Sequence, residues 1–189
     1  MKKNRAFTII ELLAVIIILG VLLVIAVPNV VKNIFSSKTS SYAFDVDAYA
    51  KSAINSALNK DYGILPDDDE LMIIPFEKII LEKSNGLESP YGPYDLDRSY
   101  IVIVPDKNGA YQAYAYAYDE IGYGVINVHY KEIAKSSIKT YAVSEYTTYS
   151  EMSASLKGLT YGGASGVPGM YDTCYNLEET PKSILICSK

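Results

Sequence analysis

The stretch LLAVIIILGVLLVIAVPNVV, Leu12–Val31, runs for twenty residues without a charge. As a helix rising about 1.5 Å per residue it would be about 30 Å long, the hydrocarbon thickness of a bilayer. A buried core helix of this length with no polar face is the alternative, and it is uncommon. A cleaved secretory signal has a shorter apolar core, about 7–15 residues, ending in a small-residue cleavage site. Here no A-x-A pattern follows; Lys32, Asn33 and a further helical pattern continue instead. The stretch therefore reads as a retained membrane span.

On its N-terminal side lie Lys2, Lys3 and Arg5. That bias holds the short N-terminal end in the cytoplasm and sends the C-terminal part across. Removing these three from the 17 basic residues leaves 14 against 22 acidic, a net charge of −8 for the remainder. An acidic exported domain lacks the basic face that phosphate contacts need, so direct nucleic-acid binding is not expected. Between the cations and the span stands Glu11, flanked by Ile10 and Leu12 in an apolar stretch that begins at Phe7. A carboxylate in a membrane segment costs about 2.5–3.5 kcal/mol on insertion scales and calls for a partner, unless it sits at headgroup level.

The segment Arg5-Ala6-Phe7-Thr8-Ile9-Ile10-Glu11-Leu12-Leu13-Ala14-Val15 resembles the class III signal peptide of type IV prepilins and pseudopilins. The resemblance implies that a prepilin peptidase cuts between Ala6 and Phe7, and that Phe7 becomes the N-methylated first residue. The family normally has Gly before the cut; Ala6 departs from that and is the nearest small substitute. Cleavage would expose an amine on Phe7. Glu11, one helical turn on, could then pair with its own or a neighbour's amine, where an unpaired carboxylate in a filament core would be strongly unfavourable. Gly20 and Pro28 also match. Glycine favours an unwound backbone and proline removes a helical hydrogen bond. In related pilins the stretch between such residues is extended in the filament; an ordinary proline kink is the alternative.

After Pro28 the apolar pattern becomes one-sided. Tyr42, Val46, Tyr49, Ala53, Ile54 and Ala57 follow helical steps, with Lys51, Asn55 and Lys60 on the other side. The same helix is therefore expected to continue onto a globular head, with Gly63 and Pro66 ending it. From Phe7 to Asn59 it would make a rod of roughly 80 Å. Asp67 to Glu70 reads as a solvated helix-start cluster, since consecutive carboxylates lack the alternating spacing of a calcium loop. Asp95 and Asp97 are an equally weak calcium signal. An apolar stretch containing Pro75 precedes a short helical pattern from Phe76 to Lys83, closed by Ser84-Asn85-Gly86.

From Tyr100 the period shifts towards strands. Tyr100–Val104, Tyr111–Tyr118 and Val125–Tyr130 are predicted as three antiparallel strands, separated by the turn sequence Pro105-Asp106-Lys107-Asn108-Gly109 and by Gly122-Tyr123-Gly124. A further strand is predicted near Thr140–Glu145, and an edge strand at Ile184–Ile186. Gly162-Gly163-Ala164-Ser165-Gly166 reads as a loop without phosphate-binding spacing. The fold class is thus α+β: a long N-terminal helix, half membrane and half amphipathic, packed against a small antiparallel sheet as in pilins. Its segments are a leader at 1–6, a membrane and filament-core helix at 7–31, the amphipathic half at 32–62, and a head at 63–189.

The chain has two cysteines, Cys174 and Cys187. An even count in an exported domain reads as a disulfide, with two buried thiols as the alternative. Many pilins close their C-terminal loop with such a bridge. If it forms, neither cysteine is left as a nucleophile, and with one histidine, His129, a His/Cys metal site is nearly excluded. No motif sets a base beside a Ser or Tyr, so neither an enzyme nor a cofactor is expected. The 18 tyrosines read as a Tyr-rich solvent face of the sheet, with contacts between subunits as the alternative.

Three functions fit this reading. The first is a structural pilin, major or minor, in a surface filament for adhesion or motility. The second is a pseudopilin of a secretion or DNA-uptake machine. The third is a membrane-tethered enzyme or binding domain. The resemblance implies other pilins, the prepilin peptidase and the membrane assembly machinery as partners. It also implies a single-pass inner or cytoplasmic membrane protein before assembly, and an extracellular pilus or envelope pseudopilus after it.

Overall fold

A computed structural model describes residues 7–79, 87–106, 108–145, 159–160, 170–171, 173–176 and 184–188. Helix α1 spans Ile9–Leu58, and the chain divides between Lys38 and Thr39 into two units. In the first unit α1 is exposed on every side, and the apolar residues from Ile9 to Phe35 cover it. In the second, α1 turns one face inward. All six residues of the predicted stripe, Tyr42, Val46, Tyr49, Ala53, Ile54 and Ala57, are buried, whereas Lys51, Asn55 and Lys60 are exposed.

The helix ends earlier than Gly63. Asp61 N–H donates to Ser56 O at 2.9 Å and Lys60 N–H to Ala57 O at 2.9 Å. Lys60 takes a φ of 61°, which makes this a Schellman cap with lysine in the left-handed position usually held by glycine. Gly63, with φ 82°, belongs to the following turn.

Eleven strands are described: β1 (Glu70–Pro75), β2 (Glu88–Ser89), β3 (Gly92–Pro93), β4 (Tyr100–Pro105), β5 (Tyr111–Tyr118), β6 (Tyr123–His129), β7 (Lys139–Thr140), β8 (Leu159–Thr160), β9 (Met170–Tyr171), β10 (Thr173–Asn176) and β11 (Leu185–Ser188). Seven of them form one sheet in the order β10-β11-β1-β4-β5-β6-β7. Its pairings are antiparallel, for example Met72 opposite Ile103 and Ile101 opposite Ala115. The fold is α+β, with the second unit's part of α1 packed on one face of this antiparallel sheet.

Side chains alternate between two cores. Met72, Ile74, Ile101, Ile103, Ala113, Ala115 and Ala117 share a cluster with the buried face of α1. The alanines of β5 and Ala50, Ala53 and Ala57 of the helix are the small residues that let helix and sheet approach closely. On the other face, Leu71, Ile73, Tyr100, Val102, Tyr114, Tyr116, Leu185 and Cys187 form a second cluster. Tyr100, Tyr114, Tyr116 and Tyr118 are buried. The predicted Tyr-rich solvent face is therefore not there: both faces of the sheet are covered, and these rings serve as packing volume.

Other local expectations need correction. The acidic run does not start a helix. Asp67 to Asp69 form a turn, in which Glu70 N–H donates to Asp67 O at 2.9 Å, and β1 follows. That apolar stretch is an internal strand buried on both faces. The helical pattern from Phe76 yields one 3-10 turn, Phe76–Lys78, and then extended backbone at Ile79; residues 80–83 lie outside the described residues. The strand expected at Thr140–Glu145 is the two-residue β7 followed by a 3-10 turn at Val143–Glu145. The third predicted strand ends at His129, because Tyr130 opens a 3-10 turn. The segment near Ile184–Ile186 is β11, which lies between β10 and β1 and is not an edge. The loop at 162–166 lies outside the described residues.

Candidate functional site

The start of α1 is built around Thr8 and Glu11. Thr8 precedes the first helical residue, and its carbonyl accepts the N–H of Leu12 at 3.2 Å. One oxygen of Glu11, Oε2, accepts from Thr8 N–H and from Thr8 Oγ1–H, both at 2.9 Å. The Thr8 hydroxyl oxygen in turn accepts the N–H of Glu11 at 3.3 Å. This is a capping box, in which two backbone donors that the helix leaves over are satisfied reciprocally. The acid at Glu11 thus also has a local role that sequence reading missed, although Thr-x-x-Glu before an apolar run is the signature of this cap.

Phe7 lies one residue before the cap and is 84% exposed. Ala6, on the other side of the predicted cut, lies outside the described residues. Beyond the cap, α1 is long and apolar enough to cross a membrane. An apolar surface this large and exposed needs lipid or other apolar helices around it.

Gly20 and Pro28 both lie within helical backbone. Nothing stands within 4 Å of where a Cβ on Gly20 would sit. Beside Pro28, the Asn29 side-chain amide donates to Ile25 O at 3.2 Å. A polar group in an apolar stretch thereby finds a partner on its own helix. The helix is continuous across the interval predicted to be flexible.

Cys174 and Cys187 lie on neighbouring strands, directly opposite one another in the β10–β11 register. Directly opposed antiparallel residues have Cα atoms about 4.5–5.5 Å apart, within the range a disulfide spans. Cys187 is fully buried in the second core.

His129 is held on both ring nitrogens. Nε2 lies 2.6 Å from Gln112 Oε1, and Nδ1 accepts the N–H of Lys131 at 3.3 Å. The second bond leaves Nδ1 unprotonated, so Nε2 carries the proton and donates to Gln112. Burial pushes the imidazole below its ordinary pKa, against the opposing pull of Glu132. Among the described residues no group of three or more His, Cys, Asp or Glu side chains could hold a metal ion. Asp95 is engaged by Arg98 at 2.6 Å.

Residues 1–27 match the model of the prokaryotic N-terminal methylation motif, the class III signal peptide of type IV pilins. No curated protein and no solved structure matches the chain. The motif supports a pilin- or pseudopilin-like precursor, a substrate of the prepilin peptidase, and points to a structural protein. The long apolar helix is compatible with a membrane-anchored precursor.

Proposed function

We propose that this chain is a structural subunit of a type IV pilus, cut between Ala6 and Phe7, methylated on Phe7 and assembled through α1 into a surface filament. The observation that carries this reading is the pairing of the methylation motif at residues 1–27 with a helix whose apolar side chains, from Ile9 to Phe35, are all exposed. A simple leader would be discarded, yet α1 continues without interruption into the core helix of the second unit. Removing residues 1–6 leaves the Thr8–Glu11 cap at the new terminus. Residues 7–31 then act as membrane anchor and filament core, 32–62 as the amphipathic half, and 63–189 as the head, closed by a Cys174–Cys187 bridge.

In the membrane-held precursor, Glu11 is satisfied by Thr8. In the filament, the cut supplies a second partner, the Phe7 amine of the same or a neighbouring subunit. A carboxylate buried among apolar helices favours the register in which that cation reaches it. Gly20 and Pro28 would let the intervening turns extend during assembly, because glycine weakens the helix and Pro28 lacks an N–H for Val24 O.

Recovery of this chain as the dominant component of sheared surface filaments would support the pilus. Retention in the envelope, with deletion stopping secretion or DNA uptake, would replace that reading by a pseudopilus.

A further inference from the structure

Within the second unit, one end of the sheet gathers around the point where the chain enters. Thr39 Oγ1 lies 2.8 Å from the Tyr91 hydroxyl, and the Tyr91 ring stacks on Tyr123 with centroids 4.1 Å apart. Tyr42 Oη–H donates to Tyr123 O at 3.0 Å. A Cβ on Gly92 would meet Ile121 Cδ1 at 3.6 Å, and Tyr141 N–H donates to Gly122 O at 3.0 Å. These contacts put the β5–β6 turn, the β2–β3 turn and the segment after β7 at the same end as Thr39.

Two aliphatic side chains meet solvent at this end, beside exposed acidic ones. Ile121, at the tip of the β5–β6 turn, is 63% exposed, and Val143, two residues beyond Tyr141, is 50% exposed. Tyr91, Tyr123 and Tyr141 are half-buried around them. Exposed aliphatic tips backed by tyrosines suit the layer between lipid headgroups and acyl chains, where amphipathic rings concentrate. The chain also brings this end close to that layer. Residues 32–38, about 10 Å of helix, are all that separates Val31 from Thr39, so this end is tethered within about that distance of a hydrocarbon layer holding Leu12–Val31.

We propose that Ile121 and Val143 form an interfacial wedge that seats this end of the second unit on the lipid surface while the chain is membrane-held; it rests on the anchor role given to α1 above. The occupant is the headgroup and acyl boundary of the anchoring membrane. Among the described residues, Glu120 and Glu145 stand exposed beside the wedge. The contact is therefore driven by apolar burial, and anionic lipid is not required.

The sequence contains no tryptophan, so a single introduced indole reports alone. Full-length precursor carrying Ile121→Trp or Val143→Trp would be placed in phosphatidylcholine nanodiscs, with spin-labelled quenchers at shallow or deep positions of the lipid. The wedge predicts blue-shifted emission and loss of intensity with the shallow quencher for both variants. Ile64→Trp, past the far end of α1, should show neither, and Leu19→Trp should lose intensity with the deep quencher. Loss at Leu19→Trp without loss at Ile121→Trp or Val143→Trp would overturn the wedge and leave the anchor standing. A blue shift that grows with protein density but is insensitive to lipid quenchers would assign the patch to a second copy, and also overturns it. No loss at Leu19→Trp, Ile121→Trp or Val143→Trp would overturn the anchor and the wedge together.

Discussion

Thr8 and Glu11 cap one another. The carboxylate accepts the Thr8 N–H and hydroxyl at 2.9 Å, and the hydroxyl accepts the Glu11 N–H at 3.3 Å. The residue proposed above as an assembly charge therefore also caps the start of the helix that would do the assembling. The two roles separate by substitution. Glu11→Ala removes cap and charge, whereas Glu11→Gln keeps an acceptor for the cap and removes only the charge. Both variants should insert and be cleaved normally. Filament yield should fall about tenfold or more in both, a loss that about 1.4 kcal/mol per contact would produce. Yield restored by Glu11→Gln alone would assign Glu11 to capping.

The facing cysteines of β10 and β11 predict a bridge. Mass spectrometry of the unreduced exported protein should find a peptide linking Cys174 to Cys187. Reduction should lower stability by about 3 kcal/mol in the chain-entropy model. Two alkylatable thiols in the native protein would contradict the bridge.

Lys60 occupies left-handed backbone at the end of α1, with φ 61°. A Cβ in that region costs about 1 kcal/mol, which glycine avoids. Lys60→Gly should therefore raise the denaturant midpoint of the full chain in detergent, with a gain of about 0.5–1 kcal/mol. A lower midpoint would mean that lysine contributes more at this cap than its backbone costs.

Asp119 is fully buried and accepts four hydrogen bonds. Ser89 Oγ–H reaches Oδ2 at 3.0 Å, and the N–H groups of Ile121, Gly122 and Tyr123 reach Oδ1 at 3.0, 2.9 and 2.9 Å. The carboxylate thereby pins the β2–β3 turn to the β5–β6 turn. Asp119→Ala strands these donors and should cost about 3 kcal/mol, read as a fall in the unfolding midpoint. A change below about 0.5 kcal/mol would show that water replaces the carboxylate.

The elements legible in the sequence were those with a clear period or length. Leu12–Val31 announced itself by length, the stripe from Tyr42 to Ala57 by helical spacing, and β4 to β6 by β-branched and aromatic runs between turn residues. What escaped had physical reasons. Leu71 to Ile74 form a strand buried on both faces, so they show no alternation and read equally well as helix. The Tyr/Ala alternation of β5 suggests an inside and an outside, but both faces are covered, so the alternation is one of side-chain size and not of polarity. Lys60 gave no cue, since left-handed caps are normally glycine or asparagine. At the site, Glu11 stands out as a charge among apolar residues, whereas the role of Thr8 shows only when Thr-x-x-Glu is read as a cap signature.

In the proposed function the apolar part of α1 stays on the mature protein, with Phe7 as its first residue. Mass spectrometry of the N-terminal peptide from the assembled or envelope-bound protein decides this. A peptide beginning with N-methylated Phe7 is predicted. A mature N-terminus beyond Pro28 would contradict the claim, because the helix proposed to hold subunits together would be gone.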